Sequence, residues 1–397
     1  MIDMAHFINN TWCKIACVAA IALPTLASCI TDDLDGCPST AKNKVALSFN
    51  YTYNVKDANA FASEVKDLNV YVFDQNGKFY DVFQQSQEKF SNDYQMEVQG
   101  LQNGKYTFVC LARDKQPAAI GDGGETEFSF TTLTPGQSTV NELTEKMGSD
   151  QQEEIENNKR FSALYTAQQS VVITDTAKEV KADLSLMKCT KTYRIVMMPY
   201  KNEQTGFVPE NFDVRIKGSA AWLDYKGDKV ENDPITYTPF NAELRTSADQ
   251  GAEIEGQPID KAIVYDLSSS RMFERGNDII TRSDDGKIAN DKRIVITDKR
   301  SGQEVFNHSL PWFLALCGER DDQSWGAQEY LDRQDHYVLT FYVPDERDYN
   351  LSAKVNVNGW VLNLQDTELG AKPKVRKASA SEMKSINAVL NKTIISK

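Results

Sequence analysis

From Val45 to Tyr53 the chain alternates without interruption: Val45, Leu47, Phe49, Tyr51 and Tyr53 share one phase, and Ala46, Ser48, Asn50 and Thr52 the other. Successive side chains of an extended strand point to opposite faces, so a period of two marks a strand with one face in a core. The pattern returns along most of the chain. Leu68 to Phe73 and Lys78 to Phe83 flank Asp74-Gln75-Asn76-Gly77, where Asn76-Gly77 tolerates the positive φ of a tight hairpin. Tyr106 to Ala112 is nearly continuous in apolar residues, as a central strand would be. Val180, Ala182, Leu184 and Leu186 alternate again, and Thr190 to Met198 opens a second series. That series runs through Phe212, Val214 and Ile216, then Ala262 to Leu267, then Arg293 to Thr297 opposite Glu304 to Phe306, then His336 to Val343. Val355, Val357, Trp360 and Leu362 flank Asn358-Gly359 at its end. One sheet cannot bury such faces alone, so the expectation is an all-β chain of two tandem β-sandwiches with short helical insertions. Their expected bounds are 45–187 and 188–370. Leu310 to Cys317 reads as a short buried helix. Residues 118–158 read as a surface insertion on the first sandwich, with helical candidates at 141–146 and 151–158, because Gln151-Gln152-Glu153-Glu154 offers no apolar stripe.

The first 28 residues read differently. Lys14 precedes an apolar run from Ile15 to Leu23 that ends at Pro24, too short for a bilayer core that takes ~20 helical residues. It reads as a signal segment rather than a transmembrane helix. Leu26-Ala27-Ser28-Cys29 closes it and resembles a bacterial lipoprotein signal, which implies acylation (palmitate) of Cys29 and attachment to a membrane. Buried methylenes contribute roughly 0.8 kcal/mol each, so a multiply acylated cysteine holds a domain stably. Residues 29–44 follow as an acidic tether with Asp32, Asp33 and Asp35. The cluster resembles the surface-export signal of Bacteroidetes lipoproteins, which implies a place outside the outer membrane; it also reads as a solvated linker kept extended by charge.

The net charge of −13 and the lack of a basic run argue against a nucleic-acid partner. Cys37, Cys110, Cys189 and Cys317 remain beyond Cys29, with no CxxC spacing. They read as small buried hydrophobes, with a bridge involving Cys37 as the alternative. His308 and His336 stand in no metal-binding spacing, and neither a GxSxG elbow nor a phosphate-cradling glycine loop is present. The expectation is therefore no enzyme and no cofactor.

Gln328-Glu329-Tyr330-Leu331-Asp332-Arg333-Gln334-Asp335-His336-Tyr337, followed by a strand and by Val357-Asn358-Gly359-Trp360, resembles the C-terminal signature of the FimB-type fimbrial anchor subunits of Bacteroidetes. The tether, Val72 to Gly77, Gly104-Lys105-Tyr106, Ile235 to Pro239 and Ser269 to Met272 fall in the order of that family. The resemblance implies transthyretin-like sandwiches, a lipid anchor, and service as the base or a minor component of a type V pilus that contacts stalk subunits. On the residues alone, Asp332-Arg333 and Asp335 read as a salt-bridged loop setting the entry of the next strand, Trp360 as core, and Ser269-Ser270-Arg271 as a polar strand end. In such pili a cut after a basic residue, often Arg, releases a subunit's first strand, and a neighbour's terminal strand fills the slot. No Arg lies between Cys29 and Arg113, so this chain is expected to keep the strand at Val45–Tyr53. The tail, residues 371–397, is the candidate donor, with Ile386, Ala388, Leu390 and Ile394 on one face; a Lys-rich helix is its other reading. Two further functions stay open: a surface glycan-binding lipoprotein, for which Trp222, Trp312 and Trp325 are unplaced aromatics, and a tip or adhesive subunit.

Overall fold

Strand Asn43–Asn50 lies in the middle of a three-stranded sheet, antiparallel to Gln95–Leu101 and parallel to Glu179–Ser185. Its register sets Leu47 against Met96 and Ala182, which puts the odd-numbered residues of the strand on one buried face. Opposite stands a five-stranded sheet in the order Met187–Lys188, Leu164–Ile173, Gly104–Arg113, Asp67–Phe73, Phe79–Ser86. Val45, Leu47 and Phe49 meet Leu68, Val70, Phe108 and Cys110 in one core, which closes a β-sandwich. Gly104–Arg113 is central, as its apolar run predicts. The hairpin turn is set by Asp74, whose carboxylate accepts from the Asn76 and Lys78 amides at 2.8 and 2.9 Å, and by Gly77 at φ 71°.

The computed structural model describes residues 43–115, 125–126, 128–147, 155–174, 179–199, 205–218, 221–230, 235–246, 253–254, 257–258, 261–273, 292–318, 325–343, 354–357, 360–363, 374–377 and 380. The chain divides into two units, Met1–Ala41 and Lys42–Lys397, and all described residues belong to the second.

A second sandwich pairs a seven-stranded sheet with a five-stranded one. The first runs Asn241–Thr246, Lys261–Ser270, Thr190–Pro199, His336–Val343, Lys354–Val357, Trp360–Asn363, Lys374–Lys377. The second runs Gln303–Ser309, Arg293–Asp298, Phe212–Gly218, Ile235–Tyr237, Ile155–Asn157. Tyr193, Ile195, Met197, Val214, Ile216, Ile294 and Phe341 fill the space between. Helix Leu310–Gly318 buries Leu310, Phe313 and Leu314, as expected of its apolar run, and a second helix spans Ala327–Arg333. Val357 pairs with Trp360, so Asn358-Gly359 joins two adjacent strands.

Two expectations change. Among the described residues, 140–147 and 155–157 hold a 3-10 turn, Val140–Glu142, and strands Thr144–Met147 and Ile155–Asn157 in place of the expected helices. Leu133 and Leu143 do cover the first sandwich, packing on Tyr71, Phe73, Val109 and Leu111. The strands, however, pair with the other half: Thr144–Met147 with Trp222–Asp224, and Ile155–Asn157 with Ile235–Tyr237. A short helix without an apolar stripe gains nothing from packing, whereas an open sheet edge satisfies its backbone. Secondly, strand Lys374–Lys377 lies past residue 370 and forms an edge of the seven-stranded sheet. The start of the tail is thus part of the sandwich.

Candidate functional site

Two places bear on what this chain can do: the slot of the first strand, and the junction of the two sandwiches. In the slot, Val45, Leu47, Phe49 and Tyr51 are buried. The Phe49 ring stacks on Phe61 at 5.7 Å, and Tyr51 meets the edge of Tyr165 at 5.2 Å. Asn59 fixes the strand's end by accepting from the Tyr51 amide at 3.0 Å. Burying four such side chains stabilises by about 6–12 kcal/mol as an upper estimate, so the slot is filled by the chain's own strand.

The junction is built around buried cations. Lys188 donates to Glu64 at 3.0 Å and to Asp335 at 2.7 Å, and Glu64 also accepts from the Tyr165 hydroxyl at 2.7 Å. Burial alone would lower the Lys188 pKa, but the two carboxylates reverse it and hold it above the ordinary lysine value. Burial likewise favours a protonated Asp335, yet Lys188 and Lys191 hold its pKa below the usual carboxylate range. Lys191 donates to the carbonyls of Asp332 and Gln334 at 2.7 and 2.9 Å, and burial, only partly offset by Asp332 and Asp335, brings its pKa down to about 8. Arg271 grips Asp332 with two bonds of 2.7 and 2.8 Å and reaches the Gly227 carbonyl and Asp228 at 3.0 and 2.8 Å. Lys292 donates to the carbonyls of Ser270 and Arg271 at 2.6 and 2.7 Å, and burial together with Lys191 and Lys229 sets its pKa well below normal. Arg333 crosses to the first sandwich, donating to Asp57 at 2.7 Å and to the Asn54 carbonyl at 3.3 Å, with Tyr53 and Trp325 against its guanidinium.

These donors all face protein acceptors. Their chemistry is that of a clasp: helix Ala327–Arg333 and the following residues are tied to the first sandwich through Arg333 and Asp335, and to the second through Asp332. Asp332, Arg333 and Asp335 are thus salt-bridged, as read from the sequence, but Asp332 and Arg333 lie on helix Ala327–Arg333 rather than in a loop. Ser269-Ser270-Arg271 differ from expectation, because they are buried, with Ser269 bonded to Tyr193 and Ser270 to Tyr237 at 2.8 and 2.9 Å. Lys191 and Lys292 escaped notice, although each shares the phase of core residues, Tyr193 and Ile195 for one and Ile294 and Ile296 for the other.

Cys110 and Cys189 are free and buried, and Cys317 lies on helix Leu310–Gly318. Cys29, Cys37, Ile386, Ala388, Leu390 and Ile394 lie outside the described residues. The His308 ring packs 4.6 Å from that of Phe306, and His336 Nδ1 is 2.9 Å from the Thr192 hydroxyl. Lys146 sits 3.6 Å over the Trp222 ring, and Arg333 4.7 Å over Trp325. Among the described residues no group of three or more His, Cys, Asp or Glu is arranged to hold a metal ion, and no helix is long and apolar enough to cross a membrane.

A family model described as "Fimbrillin-A associated anchor proteins Mfa1 and Mfa2" matches residues 34–366. Among solved structures, a Bacteroides thetaiotaomicron protein provisionally described as polysaccharide-binding is 26% identical with a TM-score of 0.63, over 81% of this chain and 98% of its own. An adhesin, so described provisionally, from the same species is 23% identical with a TM-score of 0.62, over 81% and 97%. The fimbrial anchor protein Mfa2 of Porphyromonas gingivalis is 14% identical with a TM-score of 0.55, over 81% and 98%. No curated protein sequence matches significantly.

Proposed function

Because the chain belongs to the family of fimbrillin-A associated anchor proteins, we propose that it is the base subunit of a fimbrium, held in the outer membrane by a lipidated Cys29. The observation that carries this reading is the filled slot of Asn43–Asn50, bonded on both edges by its own chain. A subunit whose slot is closed cannot accept a neighbour's strand there, which suits the end of a polymer rather than its middle. The absence of Arg between Cys29 and Arg113 agrees, since an Arg-directed cut has no site before the strand. On this reading the membrane-proximal end is Cys29, and the segment beyond Lys377, with Ile386, Ala388, Leu390 and Ile394, contacts the first stalk subunit.

Electron microscopy of cells carrying Cys29→Ala tests the anchor role. Fimbriae shed into the medium are expected. Cells that keep their fimbriae in full would assign the protein to a tip or adhesive position. Truncation after Lys377 tests the donor segment separately, with loss of co-purifying stalk subunits expected and unchanged co-purification contradicting it.

A further inference from the structure

A cavity of about 390 Å³ opens on the outer face of the five-stranded sheet of the first sandwich. Phe73, Thr107 and Ser170 line it from neighbouring strands, the last two with hydroxyls 2.9 Å apart. Gln168 and Gln169 line it beside them, and both are exposed. Tyr225 comes from the second half of the chain and completes the wall. Its position is fixed locally: the Tyr225 carbonyl accepts from the Thr166 hydroxyl at 2.6 Å, and Asp224 closes the turn by accepting from the Lys226 and Asp228 amides at 2.8 and 2.9 Å.

The size falls within the range of small-molecule sites, about 300–1,000 Å³. No lining side chain carries a charge, and the Lys226 ammonium stands 5.3 Å from the centre of the Tyr225 ring, so a neutral polar molecule meets the lining without needing an ionic partner. Hydroxyls and primary amides each both donate and accept, and the ring of Tyr225 offers an apolar wall with a polar tip. A molecule with adjacent hydroxyls along its edge and C–H groups on its face matches both. We propose that this groove binds a neutral pyranose unit of a polysaccharide, its hydroxyls on Gln168 and Ser170 and its C–H face on Tyr225. The exposure of Gln168, Gln169 and Ser170 leaves the groove open on that side, so the sugar can be one unit within a longer chain. The wall is contributed by both halves of the protein and is held in place before any ligand arrives, which lowers the cost of ordering it.

The test is saturation-transfer NMR and calorimetry on the full chain with neutral manno-, gluco- and galacto-oligosaccharides, and a uronic-acid oligosaccharide for contrast. Binding of at least one neutral sugar is expected, weakened about fivefold by Gln168→Ala or Ser170→Ala, the worth of one net hydrogen bond. Tyr225→Ala is expected to weaken it further, with unchanged melting of the two exposed-residue variants showing that the fold is intact. Three results would overturn the proposal: no binding at millimolar sugar, equal affinity in all variants, or preference for the uronic-acid chain. None of these bears on the anchor role, which the fimbriae of the Cys29→Ala strain report independently.

Discussion

Gly227 occupies a position that no other residue can take without cost. Its φ is +76°, and a Cβ there would stand 2.6 Å from Cys189 Sγ and 3.1 Å from Met187 Cε. The left-handed backbone costs a non-glycine residue about 1–2 kcal/mol, and crowding a packed core adds about 1–3 kcal/mol. Gly227→Ala should therefore lower the urea midpoint by the equivalent of ~2–5 kcal/mol with an unchanged m value. Glu145 poses the opposite problem, an acid with no partner. It is fully buried, neither carboxylate oxygen has a hydrogen-bond partner among the described residues, and burial with the nearby Asp224 raises its pKa well above 4.5, against a smaller pull from Arg113. The folded state thus keeps a proton that the unfolded chain releases near pH 4.5, so stability falls as pH rises from there toward the raised value. Glu145→Gln, neutral and of similar shape, should raise the melting temperature at pH 7 and leave it nearly unchanged at pH 4. An equal gain at both would show that the carboxyl is not the cause.

At the scale of elements, helix Ala327–Arg333 sets Asp332 and Arg333 side by side with opposite tasks. Asp332 answers Arg271 within the second sandwich, and Arg333 answers Asp57 in the first. Leaving one partner of a buried pair uncompensated costs about 3–5 kcal/mol, whereas replacing both with apolar residues is often neutral. Arg271→Met should be destabilising by that amount in chemical denaturation, and Arg271→Met with Asp332→Leu should recover most of it. Failure of the double variant to recover would place the energy in the bonds of Arg271 to Gly227 and Asp228 instead. The strands themselves were legible, because Val45 to Phe49 or Phe212 to Ile216 each state their own buried face by parity. Lys191 and Lys292 were written in the same parity but look like surface residues by type. Strands Thr144–Met147 and Ile155–Asn157 were not legible, since what makes them strands is the edges of Trp222–Asp224 and Ile235–Tyr237, supplied from some 80 residues further along the chain. The groove at Gln168 and Tyr225 has the same origin in distant segments.

At the scale of the molecule, the two sandwiches are joined without a spacer, since Leu186 follows one sheet and Thr190 opens the next with buried Cys189 between. The Lys188–Asp335 and Arg333–Asp57 pairs add ionic bonds across the join. Calorimetry should show a single cooperative transition, and Lys188→Met with Arg333→Ala should split it into two. Two transitions in the unaltered protein would mean that the clasp does not couple the halves.

The parallel pairing of the first strand has a mechanical consequence. Lys44 to Asn50 run alongside Glu179 to Ser185 in the same direction. A pull entering at the start of Asn43–Asn50 and leaving through the second sandwich drags these neighbours oppositely along their common axis. The hydrogen bonds between them are then loaded in shear, all at once, and cannot be unzipped singly. On the proposed anchor role, a filament tugging on its base would meet its stiffest resistance at this first strand.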